Sequence, residues 1–113
     1  MRKETFRDGS LSAVGRCSDG QRTGAWKYFF RNGRVRAAGR FTRGQCDGPW
    51  KWYRENGELL GTGSFRGGRQ EGPWRRYDKQ GKLYDVRKFS NGKQVGAAVR
   101  ADARGKPGRR KRA

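Results

Sequence analysis

Apolar and polar residues alternate along short stretches of the chain. In the stretch after residue 34, Val35, Ala37, Gly39 and Phe41 occupy every second position and Arg36 and Arg40 lie between them; Leu59 and Phe65 occupy the equivalent places one unit further on. A period of two predicts β-strands that have one apolar face. No stretch shows the 3.6-residue period of an amphipathic helix.

Residue pairs that end in glycine separate these stretches. Asn-Gly and Asp-Gly supply the positive φ values that two-residue hairpin turns require. The glycines of successive pairs are alternately 11 and 13 residues apart. Two successive spacings therefore correspond to one hairpin and its connection to the next. The pattern predicts an all-β fold, an antiparallel meander of stacked β-hairpins in a single-layer twisted repeat sheet of about eight strands. The turn pairs are Asp8-Gly9, Asp19-Gly20, Asn32-Gly33, Arg43-Gly44, Asn56-Gly57, Gly67-Gly68, Gln80-Gly81 and Asn91-Gly92.

The hairpins repeat with a period of 24 residues. Three units align without a gap over residues 24–47, 48–71 and 72–95, and a degenerate unit covers residues 1–23. We therefore predict one repeat domain over residues 1–95. Residues 96–113 lack the pattern, and we predict that they form a basic, disordered tail. The repeated positions include Trp26, Trp50 and Trp74; Phe41, Phe65 and Phe89; and Gly24, Gly48, Gly72 and Gly96.

Folding each glycine pair as a two-residue turn predicts the register of Trp50. It pairs Trp50 with Gly63 on one side and with Ala37 on the other, so that the indole lies between small residues. The repeated Trp and Phe residues then form an apolar stripe. The opposite face carries cations and a smaller patch near each turn, such as Tyr53 beside Leu60. A single-layer sheet leaves aromatic side chains uncovered, and we predict an exposed partner-binding patch at Tyr28, Phe30 and Trp52.

Residues 48–71 carry the motif Gly-x-Trp-x-x-Tyr-x-x-x-Gly-x-Leu, followed by Phe-x-x-Gly. This unit resembles the variant MORN (membrane occupation and recognition nexus) repeat, and the resemblance covers residues 24–95 well. It implies an elongated sheet of hairpins with a binding function rather than a catalytic one. It also suggests small bacterial relatives of the antitoxin or immunity type, hence a protein partner.

The charge adds a second hypothesis. Lys and Arg number 29 against 10 Asp and Glu, which gives a net charge of +19. A ladder of cations that recur once per repeat could bind an anion, so the alternative function is binding of a nucleic acid or an anionic membrane surface. A solvated basic surface without a ligand remains open as well. The candidate anion-binding residues are Lys27, Lys51, Arg75, Arg36, Arg40, Lys88, Arg109, Arg110, Lys111 and Arg112.

The composition argues against catalysis. The chain has no histidine, and its two cysteines, Cys17 and Cys46, are too few for a zinc site and about three strands apart, too far for a disulfide. We predict no enzyme activity, cofactor, metal or small-molecule substrate. The absence of a long apolar run predicts a protein that neither spans a membrane nor carries a secretory signal, and that is cytoplasmic.

Overall fold

The computed structural model of the protein describes the backbone of residues 1–100 and the side chains of residues 1–97. Residues 1–100 form one antiparallel sheet and contain no helix, which confirms the predicted all-β meander. The sheet measures 55 × 31 × 17 Å along its principal axes. Its strands are β1 (Arg2–Thr5), β2 (Leu11–Ser18), β3 (Gln21–Phe29), β4 (Val35–Thr42), β5 (Gln45–Tyr53), β6 (Leu59–Arg66), β7 (Arg69–Gln70), β8 (Gly72–Tyr77), β9 (Leu83–Ser90) and β10 (Lys93–Arg100).

Every strand pairs with its neighbour in the sequence, except that β7 and β8 both pair with β6. The described residues form ten strands rather than the eight expected, because eight turns join nine strands and a break at Glu71 divides one of them. β10 continues past residue 95, where the predicted repeat domain ends. Most of the predicted tail, including Arg109, Arg110, Lys111 and Arg112, lies outside the described residues.

The turns are of two kinds. At four of them both central residues have positive φ, as at Arg43 (51°) and Gly44 (81°), which is the two-residue turn that the sequence predicted. At the other four only the glycine has a positive φ, as at Gly33 (90°). The loop there has three residues, and it is closed by a hydrogen bond that the Phe30 amide donates to the Arg34 carbonyl. The Oδ1 atom of Asn32 accepts the Arg34 amide at 2.9 Å, which fixes this loop.

A bulge in each repeat changes the register between hairpins. Trp50 pairs with Gly63 as predicted. The predicted pairing with Ala37 is wrong, because Ala37 pairs with Trp52 and the register shifts by two residues between Ala38 and Arg40. Gly48 lies in this bulge with a φ of 79°. The small residue that receives the indole of Trp50 on this side is Gly39, where a Cβ would lie 2.0 Å from Trp50 Cδ2.

Each bulge also explains the hydrogen bond of a tryptophan. The inserted residues interrupt the ladder beside Arg16, Arg40 and Ser64. The indole Nε1 of Trp50 donates to the Arg40 carbonyl at 3.1 Å, and Trp26 and Trp74 donate to Arg16 and Ser64 in the same way. The repeated tryptophan thus covers a glycine with its ring and donates its N–H to a backbone carbonyl of the neighbouring strand.

Candidate functional site

The sheet has two faces of different chemistry. We call the face that carries Trp26, Trp50 and Trp74 the Trp face, and the face that carries Lys27, Lys51 and Arg75 the basic face. Successive residues of a strand point to opposite sides, so each tryptophan and the cation after it lie on different faces. Trp26 is 1% exposed and Trp50 is 4% exposed, whereas the three cations are exposed.

Aromatic rings on the Trp face form a continuous row across the sheet. Phe41 stands edge-on to Trp50 with ring centroids 5.3 Å apart, and Phe65 stands edge-on to Trp74 at 5.0 Å. Further contacts connect Trp26, Tyr28 and Trp52 to the same row. Edge-to-face pairs are a favourable geometry, so the row serves as the core of a sheet that has no second layer.

The aromatic residues predicted as an exposed partner-binding patch are only partly exposed, and their role in binding stays a prediction. Tyr28 and Trp52 lie on the Trp face because they follow Trp26 and Trp50 by two residues. Both are partly buried: the ring of Tyr28 is 6.2 Å from that of Trp50, and the ring of Trp52 is 5.1 Å from that of Trp74. Burial raises the pKa of the Tyr28 hydroxyl above its ordinary value. Phe30 lies apart from them, in the loop after β3.

An arginine and a glutamate close the first end of the aromatic row. The guanidinium of Arg22 lies 4.1 Å from the ring centroid of Trp26. Its Nη2 atom donates to both carboxylate oxygens of Glu4, at 2.9 and 3.2 Å. This pair was not predictable from the sequence, because neither residue recurs with the repeat and 18 residues separate them.

A charged pair replaces two small residues at the other end of the row. Asp85 follows Ala13, Ala37 and Gly61 at 24-residue spacing, and Arg87 follows Gly15, Gly39 and Gly63. Asp85 is 4% exposed, and Arg87 Nε lies 3.1 Å from its Oδ2 atom. These two residues border an open cavity of about 350 Å³ that Trp52, Trp74 and Arg76 also line. The sequence shows that Asp85 and Arg87 replace small residues of the repeat, but their position on the Trp face was not predicted.

The cations of the basic face lie in one row across the sheet. Lys27 pairs with Ala38, Ala38 with Lys51, Lys51 with Thr62, and Thr62 with Arg75. Lys3 extends the row through Val14 on β2. A cation occupies every second strand of the row. The Cα atoms of neighbouring cations are therefore about 10 Å apart across the sheet, which is two strand spacings.

Other predicted anion-binding residues flank this row. Arg36 and Arg40 are exposed on β4, and Lys88 is exposed on β9. Arg40 is directly opposite Asp47, so one carboxylate lies at the margin of the basic face. No residue of the row itself pairs with an acidic residue across the strands.

The ion pairs of the described side chains lie on the Trp face. They join Glu4 to Arg2 and Arg22, and Asp85 to Arg87. Within residues 1–97, no carboxylate lies within 4 Å of the amino or guanidinium nitrogens of Lys27, Lys51 or Arg75. The row therefore presents positive charge that the described side chains leave uncompensated.

An aromatic side chain follows each of the three central cations by two residues. Phe29 follows Lys27 on β3, Tyr53 follows Lys51 on β5, and Tyr77 follows Arg75 on β8. Strand alternation places each on the same face as its cation, and all three are partly exposed. The patch around Tyr53 was predicted from the sequence, but its place beside the cation row was not.

The described residues show little that resembles a catalytic or metal site. Cys17 is exposed and Cys46 partly buried, and both are free thiols, as their predicted separation requires. Burial raises the pKa of the Cys46 thiol. No group of three or more His, Cys, Asp or Glu residues in the described part of the chain is arranged to hold a metal ion.

Comparison with known families gives one match. Residues 47–66, which include the bulge at Gly48, Trp50 and strand β6 to its end, match the MORN repeat variant. Over this segment, the chain is similar to a variant MORN repeat. The resemblance noted from the sequence is thereby confirmed, and the matched segment forms most of one hairpin. No curated protein matches the chain. No helix among the described residues is long and apolar enough to cross a membrane.

Proposed function

We propose that this MORN-variant protein is a non-enzymatic, cytoplasmic binding protein that holds an anionic macromolecule on its basic face. A MORN repeat supports a binding role, and its hairpins supply the scaffold on which one cation per repeat is displayed. The proposal needs no cofactor, metal or small-molecule substrate.

One observation carries this proposal. Lys27, Lys51 and Arg75 lie in a continuous cross-strand row and form no ion pair within residues 1–97, whereas Glu4 and Asp85 on the Trp face are paired with arginines of that face. The Debye length is about 8 Å at physiological ionic strength, close to the separation of the cations. Each cation therefore acts as a nearly independent contact for a chain of anions, and the contacts add up along the row.

Binding can be located by NMR titration of the labelled full-length protein with a heparin hexasaccharide, which carries anions but neither bases nor lipid. We expect amide shifts concentrated at Lys27, Lys51 and Arg75. The indole N–H signals of Trp26 and Trp50, which donate to carbonyls on the Trp face, should not move. Shifts confined to the indole signals, or none at low salt, would contradict the proposal.

A protein partner of the antitoxin or immunity type is the second candidate. The observation that favours it is the open cavity beside Trp52 and Trp74, whose aromatic walls and bordering Arg87 suit an anchoring side chain of a partner. Coexpression with the product of an adjacent gene tests this candidate. Restored growth and a complex that Trp52→Ala weakens are expected, and unrestored growth counts against an antitoxin role.

A further inference from the structure

We propose that the polyanion held by the basic face is a single-stranded nucleic acid that crosses the strands along the cation row, with its bases stacked on the neighbouring aromatic side chains. This inference rests on the proposed function and names the class of its ligand. Three features of the basic face carry it: the pairing of cations with aromatics, the direction of the row, and the twist of the sheet.

The first feature is a cation and an aromatic side by side on each of three alternate strands. Lys51 and Tyr53 are two residues apart on β5, so their Cα atoms are about 7 Å apart along the strand. Lys27 with Phe29 and Arg75 with Tyr77 repeat this arrangement on β3 and β8. A basic track beside a row of aromatic rings is the arrangement that binds single strands without sequence preference, because phosphates contact the cations and bases stack on the rings.

The second feature is the continuity of the row. Lys3, Lys27, Lys51 and Arg75 are connected through directly paired residues on the strands between them. Six strand spacings separate the first cation from the last, which amounts to about 29 Å. A polymer that runs perpendicular to the strands meets all four cations in turn.

The third feature favours a flexible partner over a stiff one. Adjacent strands of a sheet rotate relative to each other with a fixed hand, so successive cations of the row point in progressively different directions. A duplex is nearly straight over this length, since its persistence length is about 150 base pairs, and a bilayer is flat. A straight duplex or a flat bilayer follows such a row less closely than a chain that can bend between one cation and the next. A flexible single strand can follow it.

The experiment compares three ligands by fluorescence anisotropy with the full-length protein at about 50 mM salt. They are a labelled dT 15-mer, an abasic phosphodiester strand of the same length, and a 15-base-pair duplex. A base stacked on an aromatic ring strengthens binding by about tenfold or more, so the dT strand should bind at least about tenfold more tightly than the abasic strand. It should also bind more tightly than the duplex.

Variants of Tyr53 locate the effect. Tyr53→Phe retains the ring and should leave the preference for dT unchanged, whereas Tyr53→Leu should reduce it several-fold without altering binding of the abasic strand. Equal affinities for the dT and abasic strands, or tighter binding of the duplex, would overturn this inference and leave the proposed function standing. If none of the three ligands binds, the proposed function fails too.

Discussion

The indole of Trp50 lies directly on the backbone of Gly39, one strand away. A Cβ at Gly39 would lie 2.0 Å from Trp50 Cδ2 and 2.2 Å from Cε2. Gly15 has the same relationship to Trp26, and Gly63 to Trp74. In these repeats, glycine is thus required by the ring of the next strand as well as by the turns.

Gly39→Ala should therefore destabilise the protein. An added methyl group must displace the ring of Trp50, and overpacking of this kind costs about 1–3 kcal/mol, occasionally more. Urea denaturation followed by tryptophan fluorescence measures the change in the free energy of unfolding.

A double-mutant cycle provides the control. If the cost arises from the indole, Gly39→Ala should cost little in a Trp50→Ala background, because the ring that it meets is gone. An undiminished cost in that background would show that the glycine is needed for its backbone and not for the tryptophan.

Trp50→Ala should destabilise the protein more than Trp52→Ala. Removing a buried Trp costs about 3–5 kcal/mol, and Trp50 also loses its hydrogen bond to Arg40. Trp52 is only partly buried, yet it contacts Trp50, Phe65 and Trp74, so its loss should cost more than the few tenths expected of a free surface residue. Equal losses in urea denaturation would contradict the assignment of Trp50 to the core.

Much of the fold was predictable because glycine pairs mark hairpin turns and alternation marks faces. The bulge at Gly48 was not, since a lone glycine in a strand is compatible with either a bulge or a close approach of another group. The predicted partner of Trp50 was therefore wrong on the Ala37 side and right at Gly63. The burial of Trp52 could have been predicted, because it shares the parity of Trp50.

Arg22→Leu should destabilise the protein by about 1–2 kcal/mol. The substitution removes a cation stacked on Trp26 and the partner of Glu4, and such contacts contribute about 0.5–2 kcal/mol when partly desolvated. Arg31, whose guanidinium lies 5.4 Å from the ring of Phe6, provides an exposed control. In thermal or urea denaturation Arg31→Leu should have a much smaller effect, and equal effects would remove the case for a special role of Arg22.

The two thiols should differ in reactivity. The thiolate is the reactive form, and burial raises the pKa of Cys46, so less of it is ionised at a given pH. Cys17 is exposed and should be alkylated by iodoacetamide several-fold faster at pH 8. Mass spectrometry of digested samples taken over time gives both rates in one experiment. Faster modification of Cys46 would contradict its burial beside Phe41.

The candidate site was only partly accessible from the sequence. The recurrence of Lys27, Lys51 and Arg75 indicated a ladder, and the structure places them in one row. Residues that occur once, such as Glu4 and Asp85, gave no repeat signal, and their pairing depends on strand register. A role in anion binding stays a prediction for every cation of the basic face.

Salt dependence of binding tests the central claim, that the cation row binds a polyanion. Each contact to a single strand contributes about −0.7 to the slope of log affinity against log salt concentration. For the dT 15-mer, Lys27→Gln/Lys51→Gln should therefore flatten the slope by about 1.4 relative to the unmodified chain. Lys79→Gln/Lys82→Gln removes the same charge at the turn between β8 and β9 and should leave the slope unchanged. Equal flattening by both double variants, or none by the row variant, would contradict the account.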